Sequence, residues 1–290
     1  GLVWTGLDCD DDLALLAALA LNASGAARLE GLSLCGGNAP LAHTAADAEL
    51  LLRGVVGTGV LAVAGAGWRT MQFPYRALAR LAAEAPSSDE AALAIAGAAR
   101  RLPLRSLVVL TLGPPTNLAR ALQLAPDLGA RLRLAVLMGG ELTGRQLDLN
   151  FRTDRGAARA VLEAPDLPTM LVPGQVAVPR DAVDRFVSAC CPAAAACALA
   201  PKMRLQTRLM PWFVNPKLRA GLPEAGPWPA SPRLAHGFVP WDVVALLAVA
   251  QPARFGRWRR HAVRMPGCAA GEPCDSTMWV EEDGAPAPPL

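Results

Sequence analysis

"GLDCDDDLALLAAL", residues Gly6 to Leu19, puts four acids into five positions (Asp8, Asp10, Asp11 and Asp12) and follows them at once with an almost purely aliphatic run. Leu13–Leu21 reads as a helix, and the apolar Leu2–Leu7 before the acids reads as a buried strand. The order is strand, acidic turn, helix. Neighbouring carboxylates repel one another, and a helix N-terminus offsets only about 0.3–1 kcal/mol of that per charge. A hard divalent cation is the natural remedy, calcium in particular, because it accepts many oxygen ligands, bidentate carboxylates and backbone carbonyls among them. The structural alternative is a capping Asp with exposed acidic neighbours. An EF-hand is excluded, since the loop has neither alternating ligands nor a central Gly and closing Glu.

Working outward, the same unit recurs. Leu29–Cys35, Leu61–Ala64, Ser106–Leu112, Arg133–Met138 and Thr169–Val172 read as strands, and Ala39–Val56, Asp89–Arg101, Thr116–Leu124 and Asp154–Leu162 as helices between them. Strands alternating with helices at this spacing predict an α/β fold: a Rossmann-like, mostly parallel sheet with helices on both faces. Ligands of such sheets gather at the carboxyl ends of the strands. The polar or Gly-rich clusters stand there: "DCDDD" after the first strand, "GGN" after the second, "LGPPTN" after the fourth and "MGG" after the fifth. After Val172 the pattern loosens, and residues 180–235, rich in Ala, Pro and Trp, read as a helical and loop cap. A helix resumes over Pro240–Ala250. The expected organisation is one domain over residues 1–280 and a disordered tail, "EEDGAPAPPL", over 281–290, with no internal repeats.

Composition narrows the function classes. The net charge is only +3, and the 28 basic residues are dispersed, so no nucleic-acid partner is expected. The longest apolar run, Leu13–Leu21, is well short of the roughly 20 residues that span a bilayer, so the chain reads as soluble with no membrane partner. Seven cysteines without repeated CxxC spacing argue against a zinc site. "CCPAAAAC" and "CAAGEPC" could each hold a bridge, and Asn22-Ala23-Ser24 is a glycosylation sequon. The compartment stays open, with the cytoplasm slightly favoured.

Three further stretches carry chemistry. "SLCGGNAPLAHTAADAELLL" (Ser33–Leu52) sets Asn38 just past a strand; "LTLGPPTNLARAL" (Leu110–Leu122) is a tight Gly-Pro-Pro turn into a helix; "VLMGGELTGRQLDLNFRTDRGAARAV" (Val136–Val161) carries Asp148, Asn150 and Asp154. With "VPWDVVAL" near the end, these resemble the inosine–uridine preferring nucleoside hydrolase family, in order from about Val3 to Phe255. The likeness is most specific at the "LGPPTNLA" and "LMGG" turns and at Asp148-x-Asn150.

The resemblance implies the nucleoside hydrolase fold and a calcium-dependent hydrolysis of the N-glycosidic bond of ribonucleosides. The partner it implies is a small ribonucleoside, with no organic cofactor, and a homodimer or homotetramer is a possible assembly. In the family one Ca²⁺ holds the attacking water, and an aspartate of the N-terminal motif is the general base. The usual motif is Asp-x-Asp-Pro-Gly-x-Asp-Asp, whereas this chain has "DCDDD" without the Pro-Gly turn. In one register Asp11 and Asp12 match the closing pair, one for ribose hydroxyls and one for the metal; in the other, Asp10 and Asp11 do. Asp8 is the general base in both. The first register makes Asp8, Asp12, the Leu112 carbonyl and Asp242 the metal ligands. Asp11, Asn38, Met138, Asp148 and Asn150 are then the substrate-binding residues, Asp148 replacing the usual Glu.

The chain departs from the family at two places. Trp241 stands where the family carries a His that helps protonate the leaving base, so Trp241 and the nearby His236 are the residues expected on the leaving-group side. An Asn expected upstream of Asp148 has no clear match. These departures keep open a catalytically impaired relative that binds nucleoside or calcium. Asp8-x-Asp10 after a strand also resembles the haloacid dehalogenase phosphatases, a more distant alternative, since neither Lys202 nor Lys217 follows a strand convincingly.

Overall fold

The computed structural model describes residues 10–36, 41–50, 52, 60–67, 88–140, 150–173, 241–252, 262–265 and 279–281. Two parallel sheets carry the architecture. β1 (Leu32–Leu34) pairs with β2 (Ala62–Ala64), with Leu32 opposite Ala62. β4 (Leu134–Met138) lies between β3 (Val108–Thr111) and β5 (Thr169–Val172), with Val108 opposite Leu134 and Ala135 opposite Thr169. The expected parallel α/β architecture is present, and each expected strand among these is found, trimmed at its ends or whole. Leu2–Leu7 and the cap at 180–235 lie outside the described residues.

The period of two along β4 explains why both faces are covered. Ala135 and Leu137 enter one core with Phe151 and with residues of α3 (Glu90–Arg101), α4 (Thr116–Leu124) and α7 (Arg155–Leu162). Val136 and Met138 enter the other with Met170, Val172 and, from α8 (Trp241–Ala250), Val244, Ala245 and Ala248. Helix α8 is apolar on nearly every side because it is sandwiched between these strands and α1 (Asp10–Ala23). α2 (Leu41–Leu50) covers β1 and β2.

Helix α1 begins at Asp10, three residues before the aliphatic run suggested. Asp10, Asp11 and Asp12 therefore form the first helical turn rather than a loop ahead of it, which the positive end of the helix dipole favours. Two short helices, α5 (Leu128–Arg131) and α6 (Asn150–Thr153), and an antiparallel pair, β6 (Ala262–Arg264) with β7 (Trp279–Glu281), were not anticipated. Glu281, assigned above to the tail, pairs with Ala262. Among the described residues no helix is long and apolar enough to cross a membrane.

One buried amide ties α4 to the first sheet. Asn117 Nδ2 donates to the Leu34 carbonyl at 3.0 Å, and its Oδ1 accepts from the Ala66 amide at 3.0 Å. Gly65 makes room for this side chain, since a Cβ there would collide with Asn117 and lie 2.6 Å from the Ala91 Cβ.

Candidate metal centre and active site

Helices α1 and α8 pack side by side and bring their acidic first turns together. Carboxylate oxygens of Asp10, Asp11 and Asp242 lie within 4.8 Å of one another. Asp10 and Asp242 are buried, 3% and 4% exposed, and Asp11 is exposed. Carboxylates this close repel one another, and a cation bound between them relieves that repulsion. The donors are all hard oxygens of the kind calcium and magnesium accept.

Asp12, the expected ligand of the first register, is not in this trio. Successive helical residues turn by roughly 100°, so Asp12 points well away from Asp10. The carboxylates that meet Asp242 are those of the second register. Asp10 was reached from the sequence only through that alternative. In the structure Asp10, Leu13 and Ala14 are buried together at i, i+3 and i+4, so the inward stripe of α1 runs back onto Asp10, a stripe that the nearly uniform aliphatic run does not mark in the sequence.

The strand ends close around this trio. Trp241, partly buried, packs against the core that holds Met138 and Val172, the last residues of β4 and β5. Met138 is itself buried. Asn150 at the start of α6 donates from Nδ2 to the Leu112 carbonyl at 2.7 Å and to the Met138 carbonyl at 3.1 Å, with the Met138 sulfur also at 3.1 Å. Leu112, Met138, Asn150, Trp241 and Asp242 thus belong to one neighbourhood, whereas Asp8, Asn38, Asp148 and His236 lie outside the described residues. Beyond Met138 the chain leaves the sheet through Gly139 and Gly140, at φ of 151° and 87°, which side-chain-bearing residues avoid.

Cys35, at the end of β1, was missed as part of the site. Its sulfur is 4.0 Å from the Pro114 carbonyl, and a Cβ on Gly113 would come within 2.9 Å of it. Cys35 as a residue is only partly exposed, and its sulfur is the enclosed part. Burial, and secondarily the neighbouring Asp11 carboxylate, push its thiol up to about 12. It is a neutral packing group between the acids and the Leu112–Gly113–Pro114 turn. That turn is held from its far side as well, because Thr116 Oγ1 donates at 2.6 Å to Asp154, which caps α7 through the Ala157 amide.

An acidic cluster at the carboxyl edge of parallel strands, framed by two helix N-termini, defines an α/β protein built to act on a small ligand at that edge. A family model described as inosine-uridine preferring nucleoside hydrolase matches residues 3–287. The chain belongs to that family, which makes it an N-glycosidic hydrolase of nucleosides and sets aside the phosphatase alternative. Solved structures resemble it along nearly its whole length. The purine-preferring ribonucleoside hydrolase from Gardnerella vaginalis is 19% identical, covers 96% of this chain and 86% of its own, and superposes with a TM-score of 0.68. The inosine-uridine preferring nucleoside hydrolase from Bacillus anthracis is 16% identical over 96% of this chain and 88% of its own, with a TM-score of 0.63. An inosine-guanosine nucleoside hydrolase is 18% identical over 95% and 85%, with a TM-score of 0.66. At these identities the likeness shows the shared fold. No protein of curated function matches the chain in sequence.

Proposed function

We propose that this protein cleaves ribonucleosides to base and ribose in a calcium-dependent reaction, with Asp8 as general base. The observation that carries the reading is the meeting of Asp10, Asp11 and Asp242 from two helix N-termini. Their oxygen donors and their partial burial fit a hard divalent ion. In this reading Asp10 and Asp11 take the closing pair of the motif, one for the cation and one for ribose hydroxyls, and Asp12 drops out of the ligand set. Asp8, Asp242 and the Leu112 carbonyl complete it. Bound there, the cation would lower the pKa of an adjacent water.

Asp8 accepts the proton of the attacking water as its oxygen bonds to C1′, and the pair of electrons in the glycosidic bond leaves with the base. Asn38, Asp148 and Asn150 hold the ribose, and Met138 lines it. Indole has an N–H donor but no proton to give at neutral pH, so Trp241 serves the leaving group by stacking on it, and His236 or solvent supplies the proton. A stacking partner favours the larger ring, so purine nucleosides are the preferred substrates. Two of the structural neighbours are described by purine preference or by inosine and guanosine, which agrees with that choice.

The test compares wild type and Asp8→Asn on inosine and on nitrophenyl riboside, each with calcium and with a chelator. Wild type is expected to cleave both only with calcium, and Asp8→Asn to bind but not turn over. Chelator-resistant activity would refute the calcium assignment. Calcium-loaded wild type inert on the activated riboside would point instead to an impaired relative that binds nucleoside.

A further inference from the structure

Asn150 enters the reading above as a ribose ligand, yet its side chain is engaged elsewhere. Nδ2 carries two hydrogens, and three acceptors crowd it: the Leu112 carbonyl, the Met138 carbonyl and the Met138 sulfur. The amide spans the ends of β3 and β4. Its own position is firmly set, because the next residue, Phe151, is fully buried in the core, and Asp154 one turn on is held by Thr116. A ribose hydroxyl would therefore have to meet Oδ1.

The Leu112 carbonyl needs such a restraint. It belongs to the peptide that joins Leu112 to Gly113, and glycine permits a wide range of backbone angles on its side of that peptide. Cys35 packs against Gly113 from the β1 side, which limits where the turn lies but not where the carbonyl points. The 2.7 Å bond from Asn150 restrains its direction. A carbonyl oxygen has two lone pairs, so it can accept this bond and still face a cation.

We propose that Asn150 is a positioning residue for the cation site: it aims the Leu112 carbonyl and couples that ligand to Met138, the residue lining the sugar. The inference rests on the calcium reading of this site. Groups that orient metal ligands without touching the metal typically change affinity on the order of 10–100-fold when removed. Asn150→Ala is therefore expected to weaken calcium binding by about that factor. The loss should be seen with no substrate present, and kcat should recover as calcium is raised.

The experiment is a calorimetric titration of calcium into substrate-free wild type, Asn150→Ala and Asn150→Ser, with thermal melting of each as the check on folding. Ser keeps one donor, so it is expected to fall between the other two, and it carries the comparison if Ala does not fold. The KM of nitrophenyl riboside is then measured at saturating calcium. If both variants bind calcium as tightly as wild type and only KM rises, Asn150 is a ribose ligand alone and the inference is overturned. If wild type itself binds no calcium, the reading beneath it fails too, and the two failures are told apart by the wild-type titration.

Discussion

Replacing Asn117 by Leu, which branches at the same atom but carries bulkier methyl ends, removes the side chain that bonds α4 to the Leu34 carbonyl of β1 and to the Ala66 amide just past β2. The two bonds are not equal in what their loss leaves behind. The Leu34 carbonyl still accepts from the Gly65 amide at 3.0 Å, so it stays satisfied and only the net value of one bond is lost, about 1 kcal/mol. The Ala66 amide, in a residue 6% exposed, is stranded, which costs the fuller penalty of about 1–3 kcal/mol. The sum is a destabilisation of about 2–4 kcal/mol. For a chain of this size that corresponds to a fall in Tm of roughly 3–7 °C. Urea unfolding followed by circular dichroism reads the loss as a lower midpoint at unchanged slope. Asn117→Asp keeps the acceptor for Ala66 but sets a carboxylate oxygen against the Leu34 carbonyl, so it should rescue little. A loss below about 0.5 kcal/mol in Asn117→Leu would refute the reasoning, because it would mean that water or a shifted backbone satisfies Ala66 at no cost.

Asp242→Ala should weaken calcium binding by orders of magnitude while the protein still melts cooperatively, since it removes one of few charged ligands; unchanged affinity in a calorimetric titration would sink the metal assignment. Trp241→Ala should slow inosine cleavage far more than cleavage of nitrophenyl riboside, whose leaving group needs no proton, and equal losses would make Trp241 a packing residue only. Cys35, with its thiol pushed up to about 12, should resist iodoacetamide at pH 8, where only about one thiol in ten thousand is ionised. Because that pKa is raised on folding from an ordinary 9.0, the neutral thiol's contribution to stability is full below pH 9.0 and is lost as pH rises toward about 12. Peptide mapping that finds Cys35 alkylated in the native protein as fast as a free thiol would contradict its enclosure.

The sequence by itself determined the class of fold. Apolar runs of strand length alternating with helix-length segments leave little choice but a parallel sheet covered on both faces, and the rule that ligands collect at carboxyl strand ends picked out "LGPPTN", "MGG" and the acidic stretch without coordinates. Through the resemblance of its motifs to the nucleoside hydrolases it also pointed to Asp242, Leu112, Met138 and Asn150. It could not decide which of Asp10, Asp11 and Asp12 turn inward. Phase on a helix is read from the contrast between its faces, and a run such as "LALLAALAL" has almost none. Only the packing of α1 against α8 settled that Asp10 and Asp11 meet Asp242. The same holds for Cys35 beside Asp11, for Asn117 bridging Leu34 and Ala66, and for Asn150 holding the Leu112 carbonyl. Each joins residues tens of positions apart, and a contact of that kind is fixed by where whole elements dock rather than by any pattern along the chain.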